Sequence, residues 1–180
     1  MRKSLLLVVD VQNYFFEKSS KSYIRGAENL AQKINRVIKI FEENKSPIIF
    51  LQFIPSKRKI NFNKWWKHLP YGNDLELYEK IYLPKNYYIV RKNSYSVFQK
   101  KSFKKLLKLL KIKQIFFVGV MTELCVESNV RESFENGFEN YVVEDLVKSR
   151  KLKHHRYSIE NMKRGFAKII NSRDIFDGKI

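Results

Sequence analysis

Cys125 is the only cysteine in the chain, and it follows a run of strand-forming apolar residues. That run, Ile115 to Val118, breaks at Gly119, and Thr122 is a candidate N-cap for a helix that ends near Asn136. Cys125 is therefore predicted in the first turn of a helix, where free backbone N–H groups and the positive dipole end favour a thiolate. The alternative is a small buried hydrophobic side chain, as most free cysteines are.

Two charged residues follow other predicted strands, Asp10 after Ser4–Val9 and Lys92 after Tyr87–Arg91. The carboxyl ends of parallel strands share one edge of a sheet, so a carboxylate, an ammonium group and the Cys125 thiol are expected there together. Asp10 beside Cys125 could take its proton. Lys92 starts about 10 Å from Asp10, so its long side chain must close the gap. Alternatively, Asp10 caps a turn and Lys92 lies on the surface.

The rest of the chain alternates strand and helix patterns that could build such a sheet. Continuous apolar runs indicate strands covered on both faces, as in a parallel sheet. Strands are predicted at Ser4–Val9, Ile48–Phe53, Tyr87–Arg91, Gln114–Val118, Asn140–Glu144 and Ala167–Ile170, and helices at Ala27–Asn44, Lys100–Lys111, Thr122–Asn136 and His154–Phe166. This alternation predicts a single α/β domain over residues 1–180, with three layers (α/β/α) and a doubly wound, mainly parallel six-stranded sheet of order 3-2-1-4-5-6.

One long stretch, Ile54 to Asn86, interrupts this alternation. It contains three prolines and both tryptophans and shows little periodicity. Loops of this length in compact domains tend to be functional lids or partner surfaces. Its segment Phe62 to Trp66 supplies apolar surface that a monomer would struggle to hide, so a homo-oligomer, at least a dimer, is expected.

The chain is strongly basic, with a net charge of +18 from 36 Lys and Arg against 18 Asp and Glu. Such a charge raises a nucleic acid or an anionic membrane as a partner. The lysines are spread along the chain, however, and the densest cluster, Lys100 to Lys111, has the pattern of an amphipathic helix with a solvated face. We therefore expect neither a specific nucleic acid nor a membrane as a partner.

The apolar run Ser4–Val9 is too short for a signal peptide and is ended by Asp10. No segment approaches the roughly twenty apolar residues of a membrane span. These features favour a cytoplasmic protein, and the single cysteine excludes an internal disulfide.

Three motifs resemble those of the isochorismatase-like cysteine hydrolases, a family that includes isochorismatases, nicotinamidases and N-carbamoylsarcosine amidases. Asp10 to Phe15 resembles the family's D-x-Q-x-x-F opening, and Val90 to Phe98 resembles its lysine segment, which ends in Tyr-Ser-x-Phe. Gly119 to Val126 resembles its G-x-x-T-x-x-C-V segment. The three motifs occur in the family's order and at the expected strand ends, so the resemblance extends over nearly the whole chain.

The resemblance implies a catalytic triad with Cys125 as the nucleophile, Asp10 as the base that moves its proton, and Lys92 as the support for their charges. It also implies a cis peptide bond between Val120 and Met121, and an oxyanion hole made of the backbone amides of Met121 and Cys125. A lysine within reach is expected to lower the pKa of Cys125 to about 6 to 7, although the charge of Asp10 opposes this shift.

The substrate pocket that the resemblance implies includes Gln12, Phe15, Tyr95 and Thr122, although core packing is the alternative for the two aromatic residues. Nicotinamidases of the family carry an Asp-x-His metal site after the second strand, whereas this chain has Leu51 to Pro55 there, without such ligands. No metal and no cofactor are therefore expected, and nicotinamidase activity is disfavoured.

The leading hypothesis is a metal-independent hydrolase that cleaves a C–N bond of a small amide or ureide through a thioester on Cys125. Within the same family, true isochorismatases cleave a vinyl ether without a cysteine nucleophile, so that reaction is the first alternative. The second alternative, from a different class, is a basic nucleic-acid-binding protein that retains the fold.

Overall fold

A six-stranded sheet forms the centre of the molecule in the computed structural model, which describes residues 3–56, 58 and 60–179. All five strand pairs are parallel, and the strand order is β3-β2-β1-β4-β5-β6, which confirms the predicted architecture. The strands are β1 (Ser4–Val9), β2 (Ile48–Phe53), β3 (Tyr88–Lys92), β4 (Gln114–Val120), β5 (Glu139–Lys148) and β6 (Lys168–Ile170).

Helices cover both faces of the sheet. They are α1 (Asn13–Phe16), α2 (Ala27–Glu43), α3 (Ile60–Trp65), α4 (Lys101–Leu109), α5 (Glu127–Glu135), α6 (Leu152–Gly165) and α7 (Ser172–Phe176). Alternate residues of β1 enter two separate cores: Leu6 and Val8 pack with α2 and α7, while Leu5 and Leu7 pack with α4, α5 and α6. Because both faces are buried, β1 is apolar throughout.

Three short helices, α1, α3 and α7, were not predicted from the sequence. Each has four to six residues, which is too short for an apolar stripe to distinguish a helix from a loop. Helix α7 carries a local signal, a capping box between Asn171 and Asp174. Among the described residues, no helix is both long and apolar enough to cross a membrane.

The helix predicted from Thr122 begins differently from the expectation. Residues Thr122–Val126 form a π-helical turn, and α5 continues from it. The N-cap position is occupied by Met121, and no side chain caps the turn. The hydroxyl of Thr122 instead lies 3.1 Å from Nδ1 of His155 on α6. The prediction of Thr122 as the cap is therefore wrong, because its side chain has a partner on another helix.

Gly119 does not end its strand, as the sequence suggested, but lets β4 pass close to β1. It is paired with Val9 and has a φ of 112°, in a region that favours glycine. A Cβ atom at this position would lie 2.1 Å from the carbonyl oxygen of Val9. The glycine therefore permits the close approach of the strands that carry Asp10 and lead to Cys125.

We expect Gly119→Ala to lower the free energy of unfolding by about 3 kcal/mol or more, because the new methyl group meets backbone atoms that cannot rotate away. Gly137→Ala is the matched control, since Gly137 also has a positive φ, of 81°, but an added Cβ there has no atom within 4 Å. It should cost only about 1 kcal/mol. Urea unfolding of both variants measures the difference, and equal losses would contradict the close approach.

Candidate active site

Asp10, Lys92 and Cys125 meet at the carboxyl edge of the sheet. Nζ of Lys92 lies 2.7 Å from Oδ2 of Asp10 and 3.4 Å from Sγ of Cys125. The exposed fractions are 0% for Asp10, 1% for Lys92 and 6% for Cys125. The three groups are therefore joined through the lysine ammonium in a site that is almost closed to solvent.

The side chain of Lys92 closes the gap that β2 creates between β1 and β3. Lys92 is the last residue of β3 and is paired with Phe53 at the end of β2. Its ammonium lies 5.3 Å from the centre of the Phe53 ring and donates a further hydrogen bond of 3.2 Å to the carbonyl oxygen of Ser94. These contacts aim the side chain across the end of β2 toward Asp10.

Asp10 follows β1 in a left-handed backbone conformation, with a φ of 50°. Its amide donates to the carbonyl oxygen of Leu51, and its own carbonyl accepts from the amide of Gln12. One carboxylate oxygen, Oδ2, binds Lys92, whereas Oδ1 is buried without a hydrogen-bond partner among the described residues. Oδ1 is therefore available to accept a proton.

The pKa of the Cys125 thiol is raised, so the expectation of a lowered pKa is wrong. Burial is the largest cause, and the negative charge of Asp10 is the second. The Lys92 ammonium lowers the thiol pKa but does not outweigh them. The resting cysteine is therefore a thiol, and its proton has to be removed during the reaction.

The two charged partners also have shifted pKa values. Burial raises the pKa of Asp10 above its ordinary range, although Lys92 opposes this effect. Burial alone would lower the pKa of Lys92, but the charges of Asp10 and Cys125 leave it raised. A carboxylate with a raised pKa is a stronger base, which suits Asp10 to accept a proton.

Lys92→Met is expected to raise the thiol pKa further, because it removes the one charge that stabilises the thiolate. Since the thiolate is the reactive form, alkylation by iodoacetamide at pH 8 should slow by about tenfold for each unit by which the pKa rises. The rate of alkylation between pH 6 and 10 measures this effect. Lys113→Met, at a lysine outside the site, is the control and should leave the rate unchanged.

A cavity of about 370 Å³ leads to Cys125. Its wall is largely aromatic, and positively charged side chains also line it, whereas none of the described acidic residues does. The aromatic residues are Tyr14, Phe15, Phe53, Phe62, Trp65, Trp66 and Tyr95, and the basic ones are Lys21, Lys67 and Arg150. A flat, apolar molecule that carries an uncharged or anionic group suits this lining.

The peptide bond between Val120 and Met121 is cis, as the sequence resemblance implied. Met121 and Leu124 line the cavity together with Cys125. The residues expected to supply the oxyanion hole therefore lie in the wall of the cavity.

The isochorismatase domain model matches residues 4–174 of the chain. The chain belongs to the isochorismatase family. A curated relative, Nicotinamidase 3 of Arabidopsis thaliana, is 32% identical over 83 residues, which amount to 46% of this chain and 42% of the relative. The alignment therefore spans less than half of that relative, and its activity remains a proposal for this chain.

Solved structures of the isochorismatase family share the fold over the whole chain. An isochorismatase-like hydrolase from Alkaliphilus metalliredigens superposes with a TM-score of 0.89 at 19% identity, covering 99% of this chain and 100% of that one. A pyrazinamidase from Pyrococcus horikoshii, solved in complex with zinc, has a TM-score of 0.83 at 25% identity and covers 94% of this chain and 99% of its own.

The residues of this isochorismatase-family chain do not fit a metal site at the end of β2. Gln52 and Phe53 occupy that position. The side chain of Gln52 already has two partners, because its Nε2 donates to the carbonyl oxygen of Leu75 and its Oε1 accepts from Arg91. Within the described ranges, no three His, Cys, Asp or Glu side chains come together as metal ligands.

Phe15 and Tyr95 line the cavity, whereas Gln12 and Thr122 do not. Gln12 hydrogen-bonds both backbone groups of Phe53, at 2.7 and 3.1 Å, and the carbonyl oxygen of Leu75 at 2.7 Å. Gln12 therefore holds the loop around Leu75 against the end of β2. Thr122 is fully buried and turned toward α6. The expectation that Gln12 and Thr122 line the pocket is thus not met, because their polar groups are used inside the protein.

Several cavity residues come from the long segment between β2 and β3, for which the sequence predicted a functional lid or a partner surface but no individual cavity residues. Residues 57 and 59 of this segment lie outside the described residues. Indole Nε1 of Trp66 donates a 2.9 Å hydrogen bond to the hydroxyl of Tyr95, and the hydroxyl of Tyr14 donates to the carbonyl oxygen of His68. These bonds attach the segment to the site. The concentration of aromatic residues in a loop was the signal that could have identified them.

Proposed function

We propose that this chain is a hydrolase that cleaves a C–N bond of a small amide or ureide through a thioester on Cys125, without a metal. The observation that carries the proposal is the buried contact of Lys92 with both Asp10 and Cys125, the last of which lines an aromatic cavity. Membership of the isochorismatase family supports it.

In the proposed reaction, Oδ1 of Asp10 accepts the thiol proton while Sγ of Cys125 attacks the substrate carbonyl carbon. The backbone N–H groups of Met121 and Cys125 hold the resulting oxyanion. The C–N bond then breaks, and Asp10 returns the proton to the leaving nitrogen, which departs as ammonia or an amine. The product at this stage is a thioester on Cys125.

Water completes the cycle in a second step. Asp10, again a carboxylate, removes a proton from water as the oxygen attacks the thioester carbon, and the C–S bond breaks to release an acid. The proton then returns to Cys125. Throughout both steps the Lys92 ammonium stays between the other two groups, so that negative charge on either the carboxylate or the sulfur is stabilised.

A panel of small amides and ureides tests the proposal by ammonia release. It should include aromatic and aliphatic amides of matched size, each with and without a carboxylate, because the cavity is aromatic and lined by cations. We expect turnover with at least one flat amide or ureide, and its loss after iodoacetamide treatment. Hydrolysis of isochorismate that survives iodoacetamide, with no amide cleaved, would replace the proposal with vinyl ether cleavage.

We further propose that the enzyme is a homo-oligomer, at least a dimer. Trp65 is 79% exposed beside the partly buried Trp66, which is unusual for a large apolar side chain. Sedimentation at micromolar concentration should give a mass of at least two chains. A mass equal to one chain of 21.7 kDa would contradict this proposal.

A further inference from the structure

Asn129 is a fully buried amide that connects two segments of the active site. It lies on α5, one turn after Cys125, and is 0% exposed. Its Nδ2 donates to the carbonyl oxygen of Cys125 at 2.6 Å and to that of Tyr95 at 3.0 Å. Its Oδ1 accepts from the amide of Val97 at 2.9 Å. Both ends of the side-chain amide are thus used.

The two connected segments carry the two groups that must stay in contact. One is the π-helical turn that holds the thiol of Cys125. The other follows Lys92, and its Ser94 carbonyl oxygen accepts a hydrogen bond from the Lys92 ammonium. Tyr95, held by Asn129, also forms part of the cavity wall. One side chain therefore ties the nucleophile to the segment that anchors the ammonium.

We propose that Asn129 is a positioning residue that holds the Cys125 thiol at its contact distance from the Lys92 ammonium. A buried polar group with all its hydrogen bonds satisfied has little freedom to move, and shortening it removes the donor that Asn129 supplies to the carbonyl groups of Cys125 and Tyr95. The π-helical turn can then separate from the segment after Lys92. Separation weakens the attraction of the Lys92 ammonium, which stabilises the thiolate.

Asn140, at the start of β5, provides a matched control that packs against the same helix. It is 3% exposed, accepts from the hydroxyl of Ser133 at 2.6 Å, and donates to the carbonyl oxygens of Val130 and Phe166 at 3.0 Å each. It lies at the start of β5, at the edge of the sheet opposite the active site. Its replacement removes a comparable set of buried hydrogen bonds without touching either connected segment.

The test compares the pH dependence of Cys125 alkylation by iodoacetamide in Asn129→Ala and Asn140→Ala. We expect Asn129→Ala to raise the apparent thiol pKa by about one unit, which slows alkylation at pH 8 about tenfold. Asn140→Ala should leave the profile unchanged while losing similar thermal stability. Asn129→Ser should recover part of the effect, because a serine hydroxyl can donate to the carbonyl oxygen four residues earlier.

Faster alkylation in Asn129→Ala, or equal changes in both alanine variants, would overturn the proposal. If both Asn129 variants failed to fold while Asn140→Ala folded, Asn129 would be assigned to fold stability alone, and the proposal would also be overturned. Only the link to turnover rests on the proposed function. Alkylation needs no substrate. If Asn129→Ala shifted the pH profile of alkylation but the protein cleaved no amide, the positioning role of Asn129 would stand and the proposed hydrolysis would be rejected.

Discussion

Replacing Cys125 with alanine is expected to lower kcat by at least about 10⁴-fold, since the proposed thioester cannot form without the sulfur atom. Substrate binding should change little, because the aromatic wall of the cavity stays intact. The measurement is the rate of ammonia release on the best amide of the panel, at saturating substrate concentration.

Thermal unfolding provides the control for this variant. Cys125 is a small side chain whose sulfur lies 3.4 Å from Nζ of Lys92, so its truncation should cost only about 1 kcal/mol of stability. A variant that remains folded but inactive would therefore have lost chemistry rather than structure. Full turnover by Cys125→Ala would reject the thioester mechanism.

Asp10→Asn is expected to have opposite effects on the thiol and on the reaction. The negative charge of Asp10 is the second largest cause of the raised thiol pKa, so its removal should lower that pKa and speed alkylation at pH 7. Turnover should nevertheless fall by about 10³-fold, because the asparagine amide cannot carry a proton between the sulfur and the leaving nitrogen.

These opposite signs separate a catalytic effect from general damage. A distorted site would not combine faster alkylation with slower turnover. A protein with an exposed Cys125 would show the ordinary thiol pKa of about 8.5. If the alkylation profile stayed unchanged in both Asp10→Asn and Lys92→Met, the three side chains would not interact in solution. The triad would then have to be abandoned.

The architecture of the sheet could be predicted from the sequence because its signals are local and repeated. Strands β1, β2 and β4 are mainly apolar runs that are buried on both faces, and the helices between the strands carry clear apolar stripes. Right-handed crossovers then leave few strand orders open. The same topology explains why Asp10, Lys92 and Cys125 could be assigned to one edge of the sheet from their positions alone.

The elements that lack such repetition could not be predicted. Helices α1 and α3 are too short for a periodic pattern, and the cavity wall depends on where the segment between β2 and β3 folds back. The long-range partners of Gln12 and Thr122, which take both side chains out of the cavity, are 41 and 33 residues away in the sequence. No local sequence pattern predicts contacts between residues so far apart.

The protonation of Cys125 was also decided by the tertiary structure. The sequence places the thiol near a helix start and a lysine, and both favour the thiolate. In the folded chain the thiol is almost completely buried beside a carboxylate. The free-energy cost of burying a thiolate there is larger than the stabilisation that the Lys92 ammonium provides, so the thiol pKa is raised. Burial depends on every element that packs around the site, including the contact that Gly119 allows and the segment that Asn129 holds. For this reason a residue's charge state follows from the whole fold, whereas its position at the end of a strand follows from its neighbours in the sequence.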